Sequence, residues 1–461
     1  MHTFRELAYH IIFNQKGTMK LKIAHLYIAL AILTFGCKPD IKEDVTITSG
    51  TADFSKYVAV GNSLTAGYSN GALYKSGQSY AFPNILAQQF SLAGGGPFKI
   101  PYMVDENGIG VQNGQPVTKR VLGTVTDCKG VTSLGPVFAG TPNLLNLAPI
   151  GSTGPFNNMG VPGAKSFHLL TPLFGRSLDQ GGNPFYYRIA SNPGVSTVVG
   201  DAAAQNPSFV SFWIGNNDVL GYATTGGEGG GDSITNPVAF TQYLNAIVNT
   251  LLAGGAKGVI ANITDITKIP FFTTVPYNGL VLTSQAQVDA LNLNYGPLGI
   301  TFNLGQNPFI ISDQNAPGGR RQIKSDELIL LTIPQDSIKC YGWGSQTPIP
   351  GKYVLDQTEI ANVKAATAAY NQAIVTVAQQ KDLAFADMAS LLSSLSTGLT
   401  FNGLTFTTTF VTGGAFSLDG IHLTPQGNAV VANGFINAIN LKYGSTLPQV
   451  NVASYPGIVF P

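Results

Sequence analysis

The chain has 461 residues, enough for one large domain or two to three ordinary ones. Apolar residues make up 44% and charged residues only 11%, against about 25% in a typical soluble domain. The formal net charge is +1, so no basic field points to nucleic acid and no acidic block to a solvating tail. The 54 glycines and 27 prolines are spread among apolar segments without a period, which describes a loop-rich globular chain rather than a fibrous or disordered one.

From the amino terminus, "MKLKIAHLYIALAILTFGCKPD" (Met19 to Asp40) sets Lys20 and Lys22 before an apolar run from Ile23 to Gly36, followed by Cys37. The run is shorter than the roughly 20 residues that span a bilayer, and its basic flank suits a secretory signal. A cysteine after a small residue at its end resembles a bacterial lipobox, in which cleavage leaves Cys37 as an acylated amino terminus. The reading is a signal region over 1–36 with its start at Met19, a polar tether over 37–53, and an exported chain held at a bacterial membrane or cell surface by lipid on Cys37. Without lipid attachment it would be periplasmic or secreted. Two further cysteines, Cys128 and Cys340, could pair in an oxidising compartment, but nothing in their spacing shows that they meet. After the signal region two histidines remain and there is no C-x-x-C, so no zinc-type cluster is visible.

Short apolar segments then alternate with helical ones. Val58–Val60 reads as a strand and "YAFPNILAQQF" (80–90) as a helix. "FVSFWIGNND" (209–218) begins as a buried strand, "AFTQYLNAIVNTLLAGG" (239–255) is an apolar-faced helix stopped by a glycine pair, and "KGVIANI" (257–263) is the next strand. Ile360, Val363, Tyr370, Ile374 and Val377 recur at helical spacing, "LAFADM" (383–388) is a short strand, and 424–443 closes with a helix. Strands separated by helices predict an α/β fold with a mostly parallel sheet and helices on both faces, one domain over 54–447 and a tail over 448–461. Two segments rich in Gly, Pro and aromatics, about 94–156 and about 267–355, exceed ordinary connections and read as long loop insertions that could wall or cover a pocket. Ligands bind such sheets at the carboxyl ends of the strands, where Ser63 and "GNND" both fall.

An isolated G-N-S reads first as a turn, and an isolated D-x-x-H as a loop histidine near an aspartate. If Ser63 is a nucleophile it needs a base. His2, His10 and His25 lie in or before the signal region, which leaves His168 and His422. His168, flanked by apolar residues, reads as a half-buried structural histidine. His422 follows Asp419 by three residues, close enough for the carboxylate to fold back onto the imidazole's second N–H.

"GNS" after a strand, Gly163 in "NMGVPGAKS", "GNND" after a strand and "DGIH" before the last helix occur in this order. The ordered set resembles the SGNH/GDSL hydrolase superfamily (GDSL-like lipases and acylhydrolases). The resemblance implies a three-layer α/β/α sandwich with a flavodoxin-like sheet, and a serine esterase that works without metal or organic cofactor. Carried over residue by residue, it implies Ser63 as nucleophile, His422 as base and Asp419 as its orienting acid. The oxyanion donors would be the N–H groups of Ser63 and Gly163 and the side chain of Asn217. Asn62 stands where the family often has Asp, which is not the triad acid. Asn216 reads as a turn residue, and Asp218 as bonding the turn that presents Asn217. The substrate is expected to be an acyl-lipid or simple acyl ester, with O-acetyl groups on polysaccharide as the alternative. A non-catalytic, glycan-binding surface lipoprotein is the alternative of another class. Apart from the substrate and the membrane no partner is implied, and a monomer is expected.

Overall fold

The computed structural model describes residues 46–112, 114–229 and 231–461. The expected signal region, the acylation site Cys37 and most of the expected tether lie outside the described residues. Five short strands form the central sheet: β1 Tyr57–Gly61, β2 Asn158–Gly160, β3 Phe209–Trp213, β4 Lys257–Ala261 and β5 Ala384–Ala386. Their order is β5-β4-β3-β1-β2 and every pairing is parallel. Every residue of β1 and β3 is buried, as strands covered on both faces require, and that is why they read as continuous apolar runs.

Helices cover both faces. We number the larger ones α1 Phe82–Ser91, α2 Asn216–Thr224, α3 Pro237–Leu252, α4 Gln357–Gln380 and α5 Pro425–Tyr443. α1 and α5 meet through stacked rings of Phe82 and Phe435, 4.7 Å apart, with Trp213 of β3 packed against both. α3 and α4 meet through Phe240 and Tyr370, 4.2 Å apart. The starts are chemically marked. Asn236 caps α3 ahead of Pro237, Asp356 and Glu359 form a capping box on α4, and Thr424 caps α5 ahead of Pro425. The three-layer α/β/α sandwich and the flavodoxin-like strand order are both as expected.

The chain runs from β1 out to β2 and then back across β1 to β3. The order therefore reverses beside β1, and a crevice opens beyond the carboxyl ends of β1 and β3.

The two insertions hold structure of their own rather than long loops. The first carries a hairpin, Arg120–Thr126 with Thr132–Phe138, and a shorter one, Gly110–Gln112 with Gln115–Val117. The second carries three two-stranded pairs, a helix Gln285–Tyr295 and two small cores separate from the main one, the first around Val288, Tyr295 and Phe302, the second around Phe309, Ile323 and Ile349. Cys128, in the turn of the long hairpin, is disulfide-bonded to Cys340 of the second insertion, with Cα atoms 6.3 Å apart. Lys339 and Asp127 add an ion pair of 3.2 Å beside it.

The segments expected as tether and tail are docked where they are described. Thr51 N–H bonds the Tyr443 carbonyl at 2.8 Å, and Thr48 N–H bonds Thr446 Oγ1 at 2.9 Å. Val452 is buried, with Asn433 bonding both the carbonyl and the N–H of Val450. Among the described residues no helix is long and apolar enough to cross a membrane.

Candidate active site

β1 ends at Gly61, where a side chain would strike Thr65 Oγ1 at 2.2 Å and the Trp213 carbonyl at 2.5 Å; only glycine lets the chain turn here. Asn62 then caps a single helical turn, Ser63–Ala66, its Oδ1 accepting from Leu64 N–H at 3.0 Å. Its Nδ2 donates to Asn216 Oδ1 at 3.1 Å, tying the end of β1 to the turn after β3. Asn216 is thus more than the turn residue expected. Ser63 stands at the first position of the helical turn, over the crevice.

His422 comes from the turn before α5. Its Nε2 lies 2.8 Å from Ser63 Oγ, and its Nδ1 lies 2.9 Å from Asp419 Oδ2. Asp419 is a fixed acceptor. Its Oδ1 takes the N–H groups of Ile421 and His422 at 2.9 and 2.8 Å and the Ser417 hydroxyl at 3.1 Å, and its Oδ2 takes Gly71 N–H at 2.7 Å. Burial works to raise this carboxyl, but the facing imidazole and the bonds from His422 and Ile421 outweigh it and hold Asp419 well below the usual carboxylate range. An ionised carboxylate only accepts, so Nδ1 carries the imidazole proton and Nε2 is left to accept from the serine hydroxyl. The Tyr68 ring lies 4.8 Å from the His422 ring, and its hydroxyl bonds the Gly71 carbonyl at 2.6 Å.

On the other side of Ser63, Val161 N–H bonds the Gly61 carbonyl and Ala164 N–H bonds the Val161 carbonyl, giving a tight turn with Gly163 at φ +79°. That left-handed backbone favours glycine. Asn183 Nδ2 bonds the Pro162 carbonyl at 2.9 Å from outside. Asn217, in the first turn of α2, donates one amide hydrogen to the Ala164 carbonyl at 2.9 Å, leaving the other free to act. Asp218 is buried and accepts from both Ser166 N–H and Ser166 Oγ, so its carboxylate bonds the stretch just after Gly163 rather than the turn that presents Asn217, and burial pushes its carboxyl up. Among the described residues neither Ser63 N–H nor Gly163 N–H has an acceptor.

Three cavities border His422, and two of them border Ser63 as well. One is a small apolar pocket of about 40 Å³ touching Ser63, Asn217 and His422. The second, about 690 Å³, lies between the insertions and is lined by Tyr68, Arg120, Pro136, Phe271 and Gln335 together with His422. The third, about 660 Å³, is lined by Gly163, Phe174, Asn183, Phe185 and Asn217. His168 borders it, half-buried and stacked on Phe174 at 4.3 Å, with Nδ1 accepting from Lys165 N–H; burial lowers it to about 4. Among the described residues no group of three His, Cys, Asp or Glu side chains could hold a metal ion.

The structure therefore brings together Ser63, His422, Asp419, Gly163 and Asn217, while Cys37 lies outside the described residues. Tyr68, Gly71, Ser417 and Asn183 support the site without having been foreseen. The two that carried a signal are Tyr68 and Gly71, which belong to the same glycine-broken stretch that follows Ser63.

No curated protein matches the chain. A candidate GDSL-like lipase of known crystal structure, from Parabacteroides merdae ATCC 43184, is similar at 11% identity and a TM-score of 0.34, over 86% of this chain and 100% of that one. The model of the GDSL-like Lipase/Acylhydrolase family matches residues 57–435, a span that contains Ser63, Gly163, Asn217, Asp419 and His422. The chain is thus an ester hydrolase of the esterase and lipase type, and it belongs to the GDSL-like lipase/acylhydrolase family.

Proposed function

We propose that the chain hydrolyses carboxylic acyl esters through Ser63, His422 and Asp419. The observation that carries this reading is the continuous hydrogen-bonded line from Ser63 Oγ through the imidazole to a buried, ionised carboxylate. His422 Nε2 takes the serine proton as Oγ attacks the ester carbonyl. The N–H groups of Ser63 and Gly163 and the second amide hydrogen of Asn217 then receive the negative oxygen. Collapse expels the alcohol, which takes its proton from His422 and leaves the acyl group on Ser63. Water, deprotonated by the same imidazole, attacks the acyl-enzyme and restores the serine. Asp419 holds the imidazole in the tautomer that both halves need.

A fluorophosphonate should label the parent protein, and Ser63→Ala should abolish both labelling and ester turnover. Turnover by Ser63→Ala at the parent rate would end the assignment.

We also propose that the chain is exported and held at a membrane by lipid on Cys37. The Lys20–Cys37 segment supports this, and so does the Cys128–Cys340 disulfide, since such bonds persist in oxidising compartments. Incorporation of labelled fatty acid that vanishes in Cys37→Ser is the expected result; equal labelling of both would exclude the anchor.

A further inference from the structure

We propose that the pocket of about 40 Å³ beside Ser63 receives the acyl group and limits the enzyme to short acyl esters, of two to four carbons. The inference rests on Ser63 being the nucleophile and names the substrate class of that site.

The orientation of a bound ester follows from what its atoms must meet. The carbonyl oxygen has to face Ser63 N–H, Gly163 N–H and the Asn217 amide. The leaving oxygen has to face His422 Nε2, which supplies its proton. The cleft of about 690 Å³ borders His422 and Asp419 but neither Ser63 nor Asn217, so it lies on the leaving-group side. The cleft of about 660 Å³ touches Ser63, Asn217 and His422 as well, but it also opens from Gly163, and a chain laid into it would cover that donor. The small pocket also touches Ser63, Asn217 and His422 but does not border Gly163, so an acyl group seated there leaves that backbone donor uncovered.

Its walls are hydrocarbon from widely separated parts of the chain: Leu64, Leu220, Ile266, Ile269, Leu392 and Phe416. The last four are each under 8% exposed and belong to the main core, which walls this end of the pocket. A water-sized group needs about 10–15 Å³ of such space, so the pocket takes roughly three. That is room for the carbons of an acetyl, propionyl or butyryl group and no more. Longer chains would have to displace close-packed side chains, and each methylene that does not fit lowers kcat/KM by about tenfold or more.

The test is kcat/KM for p-nitrophenyl esters from acetate to dodecanoate, in the parent, Leu392→Ala, Ile266→Val and Ser63→Ala. The expected parent profile is highest between acetate and butyrate and at least tenfold lower at octanoate. Leu392→Ala removes hydrocarbon from this end and should raise the hexanoate-to-acetate ratio at least fivefold. Ile266→Val should move it in the same direction by less, and serves if Leu392→Ala does not fold. A parent profile that is flat or rises to octanoate and beyond, with activity lost in Ser63→Ala, would overturn the proposal and leave the esterase reading standing. So would a folded Leu392→Ala, or failing that Ile266→Val, with an unchanged profile. Acetate turnover undiminished in Ser63→Ala would instead remove the nucleophile and the proposal with it.

Discussion

Asp218 grips Ser166 twice, Oδ1 accepting from the hydroxyl at 2.6 Å and Oδ2 from the backbone N–H at 2.9 Å. Its neighbour Asn217 bonds the Ala164 carbonyl in the same stretch. Two consecutive residues of α2 therefore hold the turn that carries Gly163, and the spacing between two of the three proposed oxyanion donors is set by this clasp. Asn217→Ala removes a donor and should lower kcat by about 10²–10³. Asp218→Asn turns an amide N–H2 toward one of the Ser166 donors and loosens the clasp while leaving every donor in place. We expect a smaller loss of kcat, about tenfold or more, with KM near the parent value. A change in KM alone would mean that the clasp serves only substrate binding.

Asp419 links pH to stability and, in the proposed mechanism, to catalysis. Its carboxyl is held below the ordinary value of 3.8, so the folded state binds this proton less readily than the unfolded chain. The stability it contributes is complete above the unfolded value and is lost as pH falls through the depressed folded one. Asp419→Asn should therefore flatten the dependence of thermal stability on pH on the acid side of about 4. It should also cut kcat by roughly 10⁴, because an amide no longer selects the tautomer that leaves Nε2 free. Parallel acid unfolding curves for parent and variant would show that the carboxylate carries no such linkage.

Asn62 and Asn216 form a matched pair, donor facing acceptor at 3.1 Å. Asn62→Asp restores the residue common in the family but sets a carboxylate oxygen against the Asn216 carbonyl, and the Asn216 amide must turn over to donate instead. The cap on Leu64 survives, since either residue supplies Oδ1. Turnover should stay within about tenfold of the parent, and the melting temperature should fall by the few degrees that about 1 kcal/mol represents. Loss of turnover comparable to that of Ser63→Ala would show that the amide takes part in the chemistry.

The Cys128–Cys340 bond closes a loop of 212 residues and joins the two insertions. Cys128→Ser with Cys340→Ser should cost about 2–4 kcal/mol of stability, read by thermal unfolding. Neither cysteine lines the small pocket or touches Ser63 or His422, so acetate ester turnover should change less than twofold at temperatures where the variant is folded. A large fall in turnover of the smallest ester would mean that the staple shapes the site itself.

The parts of the fold that could be read from residues alone are those written in local patterns. The run Val58–Val60 and the segment from Phe209 are apolar because both sheet faces are covered, and the Thr424-Pro425 start marks its helix within a few residues. The five site residues could be proposed because each sits beside a strand end or a helix start, where a short motif survives. What stayed hidden depends on contacts between distant segments. Cys128 and Cys340 meet only because the two insertions approach one another beside the cleft that both line. Gly71 N–H reaches Asp419 across 348 residues, and no periodicity announces such a bond. The small cores around Val288 and Phe309 make compact structure of what reads as a long loop, because their apolar residues are spaced irregularly among Gly and Pro.

Ser63 and His422 are 359 residues apart, and this spacing has a consequence during synthesis. At roughly 5–20 residues per second, the serine leaves the ribosome some 20–70 s before the imidazole does. Through that interval β1 and its turn can form, yet the hydroxyl has no base beside it and is as unreactive as any other alcohol. On the proposed mechanism hydrolytic power is thus withheld from the growing chain until the DGIH turn docks beside Ser63, so a product truncated before that turn would carry the proposed nucleophile without the means to use it.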